Sequence, residues 1–204
     1  MLRSGKRFNK VFNNETEEDE NQENDELINV INNHVYFYSD VNPKSALKLN
    51  MILKKLELEL LTHNIKYDSE CNIPIILHIN SEGGEIDSAI SVVDTITSSK
   101  IPVHSLVEGI ACSAATLISV VCHKRIINSN AQMMIHQLSC EGLWGKMVEI
   151  EQEVKNLKSS MNVIKNIYTK YTNIQMDKLN KILKKDINWS SDKCKKFGLV
   201  DEIR

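Results

Sequence analysis

At 204 residues, with 42% hydrophobic and 25% charged residues, the chain has the size and balance of one globular domain with a sizeable core. A net charge of −2 gives no sign of nucleic-acid binding. No apolar run reaches the roughly 18 residues of a membrane span, and no apolar signal core opens the chain, so neither a membrane nor secretion is expected. The five cysteines (Cys71, Cys112, Cys122, Cys140 and Cys194) are odd in number and show no CxxC spacing. They read as reduced thiols in a cytoplasmic or organelle-matrix setting, with neither a disulfide framework nor a metal site.

In chain order, residues 15–26 contain eight acids and no aromatic or branched apolar residue. Such a segment cannot bury enough surface to offset its ordering entropy. Residues 1–27 therefore read as a flexible acidic tail, and residues 28–204 as the folded domain. The tail carries four basic and eight acidic residues, net −4, which leaves the remainder at +2. A solvated appendage is the expected role, and a docking tail the alternative.

"HVYFY" (34–38) is β-branched and aromatic, and reads as a strand. Pro43 and Ser45 open a helix on which Leu49, Ile52, Leu53, Leu56 and Leu60 repeat at helical spacing. "PIILHIN" (74–80) is a near-continuous apolar run, as in a parallel strand buried on both faces. The turn "SEGG" (81–84) leads into a helix with Ile86, Ala89, Ile90, Val93 and Ile96 on one face. "PVHSLV" (102–107) is a further buried strand, expected to end before a turn at Gly109 and a helix from Ser113. "RIINS" and "MMIHQ" (133–137) predict two more strands. Strand–helix pairs recur three times, which predicts an α/β domain of βαβ units.

From Leu143 to Tyr171 the pattern changes. Leu143, Met147, Ile150, Val154, Leu157, Met161, Ile164, Tyr168 and Tyr171 are spaced 4-3-4-3 throughout. That heptad seam predicts one helix of about 45 Å, either covering its own core or meeting partner subunits. A shorter helix near 175–184 follows, then one capped by Ser190 or Ser191 and closed by Gly198.

Five of the seven glycines (Gly83, Gly84, Gly109, Gly142 and Gly145) cluster near the ends of successive strands. That is where open α/β sheets bind ligands. Ser113 would lie at a helix N-terminus, beside free N–H groups and the positive end of the helix dipole. It is an N-cap, or a nucleophile whose oxyanion those groups would stabilise. A nucleophile needs a base. His78 and His104 lie mid-strand, His123 is about 15 Å along the helix, and His34 and His63 are far from any glycine turn. His136 remains. Asp87, Asp94, Asp186 and Asp201 all stay open as the third member.

"INSEGGEIDSAISVVDTI", "GIACSAATLIS", "MMIHQ" and "FGLVDEI" resemble, in order and spacing, the proteolytic subunit of the Clp protease. The similarity covers about residues 30–203. The resemblance implies a crotonase/ClpP-like α/β fold with a protruding "handle" helix, and a serine endopeptidase acting on unfolded polypeptides. It implies Ser113 as nucleophile, His136 as base and Asp186 as orienting acid. The backbone N–H groups of Gly84 and Ala114 would form the oxyanion hole. It further implies no cofactor in this chain, stacked seven-membered homo-oligomeric rings, and a Clp-type AAA+ ATPase partner that spends the ATP. Three positions depart from the pattern. Leu138, Ser139, Cys140 and Glu141 replace a proline and a glycine pair in the loop after His136. An acidic tail replaces the axial segment. Lys184 and Lys185 replace an acidic–basic pair before Asp186. Two alternatives are a non-catalytic ring subunit, distinguished by serine-directed labelling, and a crotonase-fold acyl-CoA enzyme, distinguished by thioester binding.

Overall fold

The computed structural model describes residues 27–66, 73–140 and 142–204. The acidic run 15–26, Cys71 and Glu141 lie outside the described residues. Strand β1 (Ile28–Ile31), which the strand patterns did not predict, pairs antiparallel with β2 (His34–Phe37). The short turn between them places Asn32 at φ 55°, a conformation asparagine tolerates. Three crossovers then lay parallel strands side by side. Helix α1 (Pro43–Lys66) joins β2 to β3 (Ile75–Ser81). Helix α2 (Ile86–Thr97) joins β3 to β4 (Val103–Cys112), and α3 (Ala114–Val120) joins β4 to β5 (Lys124–Ile127).

The chain continues through β6 (Gln132–Met134), α4 (Met147–Tyr171), α5 (Met176–Ile182), β7 (Trp189–Ser190), α6 (Ser191–Lys196) and β8 (Glu202–Ile203). The sheet order is β1-β2-β3-β4-β5-β8, with β6 on the far end of β4 and β7 on β6. The core lies between sheet and helices. Val35, Phe37, Leu77 and Ile79 from the strands meet Leu49, Leu53, Val92, Ile96 and Leu117 from the helices, all almost fully buried. Arg125 on β5 ties the ends of α4 and α6 to the sheet. Its guanidinium donates to the carbonyls of Tyr171 and Gly198 and to the Asp201 carboxylate.

Two boundaries differ most from the sequence reading, and the strand expected over 133–137 is Gln132–Met134, which leaves His136 beyond its end. Strand β4 does not stop at 107; it runs on to Cys112 through a bulge at Gly109. Between Ile79↔Val107 and Ser81↔Ala111, β3 advances two residues while β4 advances four. Gly109 takes φ 83°, and a β-carbon there would lie 2.8 Å from Asn80 Oδ1, the atom that accepts the Ile110 N–H. The bulge lets one strand serve two partners: residues 104–107 pair with β5, and residues 110–112 pair with β6. The long helix starts at Met147 rather than Leu143, so it is about 37 Å long. Glu149 accepts the Lys146 N–H at 2.8 Å and caps the helix there. Burial along the heptad seam is uneven. Met147 is 69% exposed, whereas Ile164 and Tyr168 near the other end are buried. The end of the helix packs on its own domain, and its first turns stand out from it.

Candidate active site

The β4 register brings serine and histidine together. Cys112 pairs with Met134, and the Ser113 N–H donates to the Met134 carbonyl at 2.8 Å. In a parallel pair this sets Ser113 beside Ile135 and leaves His136 one residue beyond. The Ser113 Oγ lies 2.7 Å from His136 Nε2. The His136 Nδ1 lies 3.0 Å from Asp186 Oδ1. Asp186 follows α5 on an irregular segment, which is tied to the histidine segment by the Gln137 N–H donating to the Leu183 carbonyl at 2.7 Å. The other three candidate aspartates are elsewhere: Asp87 and Asp94 on α2, and Asp201 against Arg125.

Ser113 holds the N-cap position of α3, but its side chain makes no capping bond. Its hydroxyl is turned to His136 instead. Its backbone sits at φ 50°, ψ −122°, a conformation that costs a non-glycine residue about 1–3 kcal/mol. The cost is borne where a strand must turn abruptly into a helix and present one side chain. Burial pushes the neighbouring Cys112 thiol up to about 11, with Glu82 adding to the effect, so that sulfur is a neutral thiol beside the serine.

The glycine pair after β3 completes the site. Gly83 has φ 99°, and a β-carbon on it would lie 2.5 Å from the Cys112 carbonyl oxygen and 2.9 Å from Ser113 Cβ. Only glycine lets the two turns approach so closely. Gly84 bridges to Val41 through its neighbours: Val41 donates to the Gly83 carbonyl, and Glu85 donates to the Val41 carbonyl. The N–H of Gly84 itself therefore faces away from Val41. Ala114 is the first residue of α3, so its N–H has no partner within the helix.

Histidine and aspartate differ in exposure, at 21% and 75% of the side chain. His123, set aside on distance, accepts the Val103 N–H at Nδ1. His78 is buried against Glu108 and His34, as a mid-strand core histidine should be, while His104 is half-exposed. Sequence reasoning counted Gly83 among the turn glycines but missed its contact with Ser113. Its signal was a glycine pair at a strand end, and the contact spans thirty residues of sequence. No group of three or more metal-ligating side chains is arranged to hold an ion among the described residues. No described helix is long and apolar enough to cross a membrane.

A serine, histidine and aspartate in hydrogen-bonded series, the first two just past the ends of β4 and β6, have the arrangement of a serine hydrolase. The family model for Clp protease matches residues 20–204. The chain belongs to the Clp protease family. It is 29% identical over 172 residues to the ATP-dependent Clp protease proteolytic subunit 1 of Chlamydia caviae, covering 83% of this chain and 85% of that one. It is 29% identical over 131 residues to the ATP-dependent Clp protease proteolytic subunit of Deinococcus radiodurans, which spans 63% of this chain and 64% of that relative's length. Among solved structures, a ClpP1 mutant from Listeria monocytogenes superposes with a TM-score of 0.72 and 26% identity, covering 85% of this chain and 91% of that one. The fold is ClpP/crotonase-like, with the long helix α4 as its handle.

Proposed function

We propose that this chain is a serine endopeptidase in which Ser113 is the nucleophile, His136 the general base and Asp186 the orienting acid. The observation that carries the reading is that Ser113 Oγ forgoes its helix cap and lies 2.7 Å from His136 Nε2. His136 takes the Ser113 proton as Oγ attacks the scissile carbonyl carbon. The oxyanion forms against the N–H groups of Gly84 and Ala114. Asp186 holds the imidazole tautomer and stabilises the imidazolium. The proton then passes to the leaving amine, and water hydrolyses the acyl-enzyme by the same route in reverse. The chain itself needs no cofactor.

The relatives are named as subunits of an ATP-dependent protease, and the resemblance of the motifs extends the proposal to assembly. The subunits form seven-membered rings stacked in pairs, with the outstanding turns of α4 at the contact. Unfolded polypeptides enter the chamber with the help of a Clp-type AAA+ ATPase, which uses the ATP. Four free cysteines among the described residues suit a cytoplasmic or organelle-matrix setting. The test is labelling with a serine-directed fluorophosphonate, together with peptide and casein hydrolysis with and without a Clp ATPase and ATP. Label on Ser113 and ATPase-stimulated casein turnover are expected. A protein that assembles but neither labels nor cleaves would be a docking subunit instead.

A further inference from the structure

Ser113 is held by more than its own strand. Its carbonyl accepts two bonds from Thr116, one from the N–H at 3.0 Å and one from Oγ1 at 2.6 Å. The same Thr116 Oγ1 lies 2.5 Å from the Tyr168 hydroxyl. Thr116 is fully buried and Tyr168 is 1% exposed, so no water competes for these atoms. The direction of the chain follows from chemistry. A carbonyl can only accept, so the Thr116 hydroxyl spends its proton on Ser113. Tyr168 must then donate to Thr116. Burial pushes the Tyr168 phenol well above its ordinary 10, outweighing the opposite pull of Thr116, which keeps the donor protonated.

The consequence lies one atom further on. The Ser113 C=O and the Ala114 N–H belong to the same planar peptide unit and point in opposite directions. Fixing the carbonyl therefore aims the N–H. We propose that Thr116 and Tyr168 are positioning residues that aim the Ala114 N–H at the oxyanion and tie it to the long helix α4. This rests on the reading of Ser113 as nucleophile. Tyr168 is the most deeply buried of α4's three buried residues, the others being Ile164 and Ile167. A displacement of α4 is thus passed to the oxyanion donor through two hydrogen bonds.

An oxyanion donor acts on the transition state and not on the bound substrate. Its misaiming should lower kcat and spare KM. Thr116→Val keeps the shape of the side chain and removes the hydroxyl. We expect kcat for a short fluorogenic peptide to fall about tenfold, the size of one net hydrogen bond, with KM within about twofold. The rate of Ser113 phosphonylation should fall in step. Thr116→Ser should restore both, and Tyr168→Phe should lie between wild type and Thr116→Val. Thr116→Val leaves the Tyr168 hydroxyl buried without an acceptor, which costs thermal stability. Combining Thr116→Val with Tyr168→Phe removes that hydroxyl, so the double variant's melting temperature should rise above that of Thr116→Val while its kcat stays low. A merely structural role would move stability and kcat together. Unchanged turnover in both single variants, with the wild type labelled and active, overturns the inference alone. So does a loss in Thr116→Ser as large as in Thr116→Val. A wild type that does not label at Ser113 overturns the peptidase reading, and this inference with it.

Discussion

Gly83→Ala should separate what the glycine turn does for the fold from what it does for the site. The new β-carbon would lie 2.5 Å from the Cys112 carbonyl oxygen, 2.9 Å from Ser113 Cβ and 3.1 Å from the Ala114 nitrogen. Comfortable carbon contacts begin near 3.5 Å, so the backbone around Ser113 must give by about 1 Å. All three atoms belong to the turn that presents the proposed nucleophile and oxyanion donor, and a misplacement of that size costs about 100-fold in rate. The φ of 99° adds strain of about 1–3 kcal/mol, or a drop of roughly 5 °C in melting temperature for a domain of this size. Gly198→Ala is the control. It has φ 73°, and its β-carbon would meet Asn173 at 2.8 Å, at the turn after α6. Both variants should lose stability, and only Gly83→Ala should lose turnover. Peptide hydrolysis below each melting temperature, with a thermal melt of each variant, measures the two effects. Equal activity losses in the two variants would refute the local argument. So would Gly83→Ala retaining more than about a third of wild-type kcat.

Ser113→Ala should abolish hydrolysis with the fold intact, and His136→Ala should fall to a similar level without compounding in the double variant, because members of a triad act as a unit; multiplicative losses would contradict this. Asp186 is 75% exposed, so water screens its hold on His136. Asp186→Asn should therefore cost less in kcat than Ser113→Ala, and a loss as large as the serine variant's would show that the acid is shielded in the working assembly. Glu57 is buried, which alone would raise its pKa. The Lys100 N–H and the Lys54 ammonium pull it the other way and win, holding the carboxyl below its ordinary 4.5. Its stabilising contribution is complete above that value and is lost as pH falls through the lower folded value. Melts between pH 6 and about pH 3 should show a loss that Glu57→Gln flattens. Lys184 and Lys185 precede Asp186, while Glu151 and Glu153 lie on the outstanding part of α4. If these charges meet between rings, sedimentation should show a double ring that weakens with salt. A salt-insensitive double ring would assign the contact to apolar residues of α4.

The sequence by itself determined the elements that depend on neighbours close in the chain. The helical spacing of Leu49, Leu53 and Leu56 and the apolar run of β3 follow from burying one stripe or two faces, and these are local patterns. The motifs around Ser113 and His136, and the spacing of Asp186 ahead of "FGLVDEI", marked the candidate site because their residue types and order resembled a family. Three features were decided only by the tertiary structure. The first is the continuation of β4 past Gly109, which depends on a bulge against β3 and on pairing with β6 some twenty residues later. Without it, Ser113 and His136 would not share a register. The second is the division of the heptad seam on α4 into exposed first turns and a buried end, because a 4-3 spacing defines a face but not what covers it. The third is the bond from Tyr168 to Thr116. It joins positions 52 residues apart, one inside the serine motif and one on the heptad seam, and it exists because the buried end of α4 packs over the start of α3. A hydrogen bond between two buried hydroxyls needs both atoms within a few tenths of an ångström, and only the packed chain sets distances that finely.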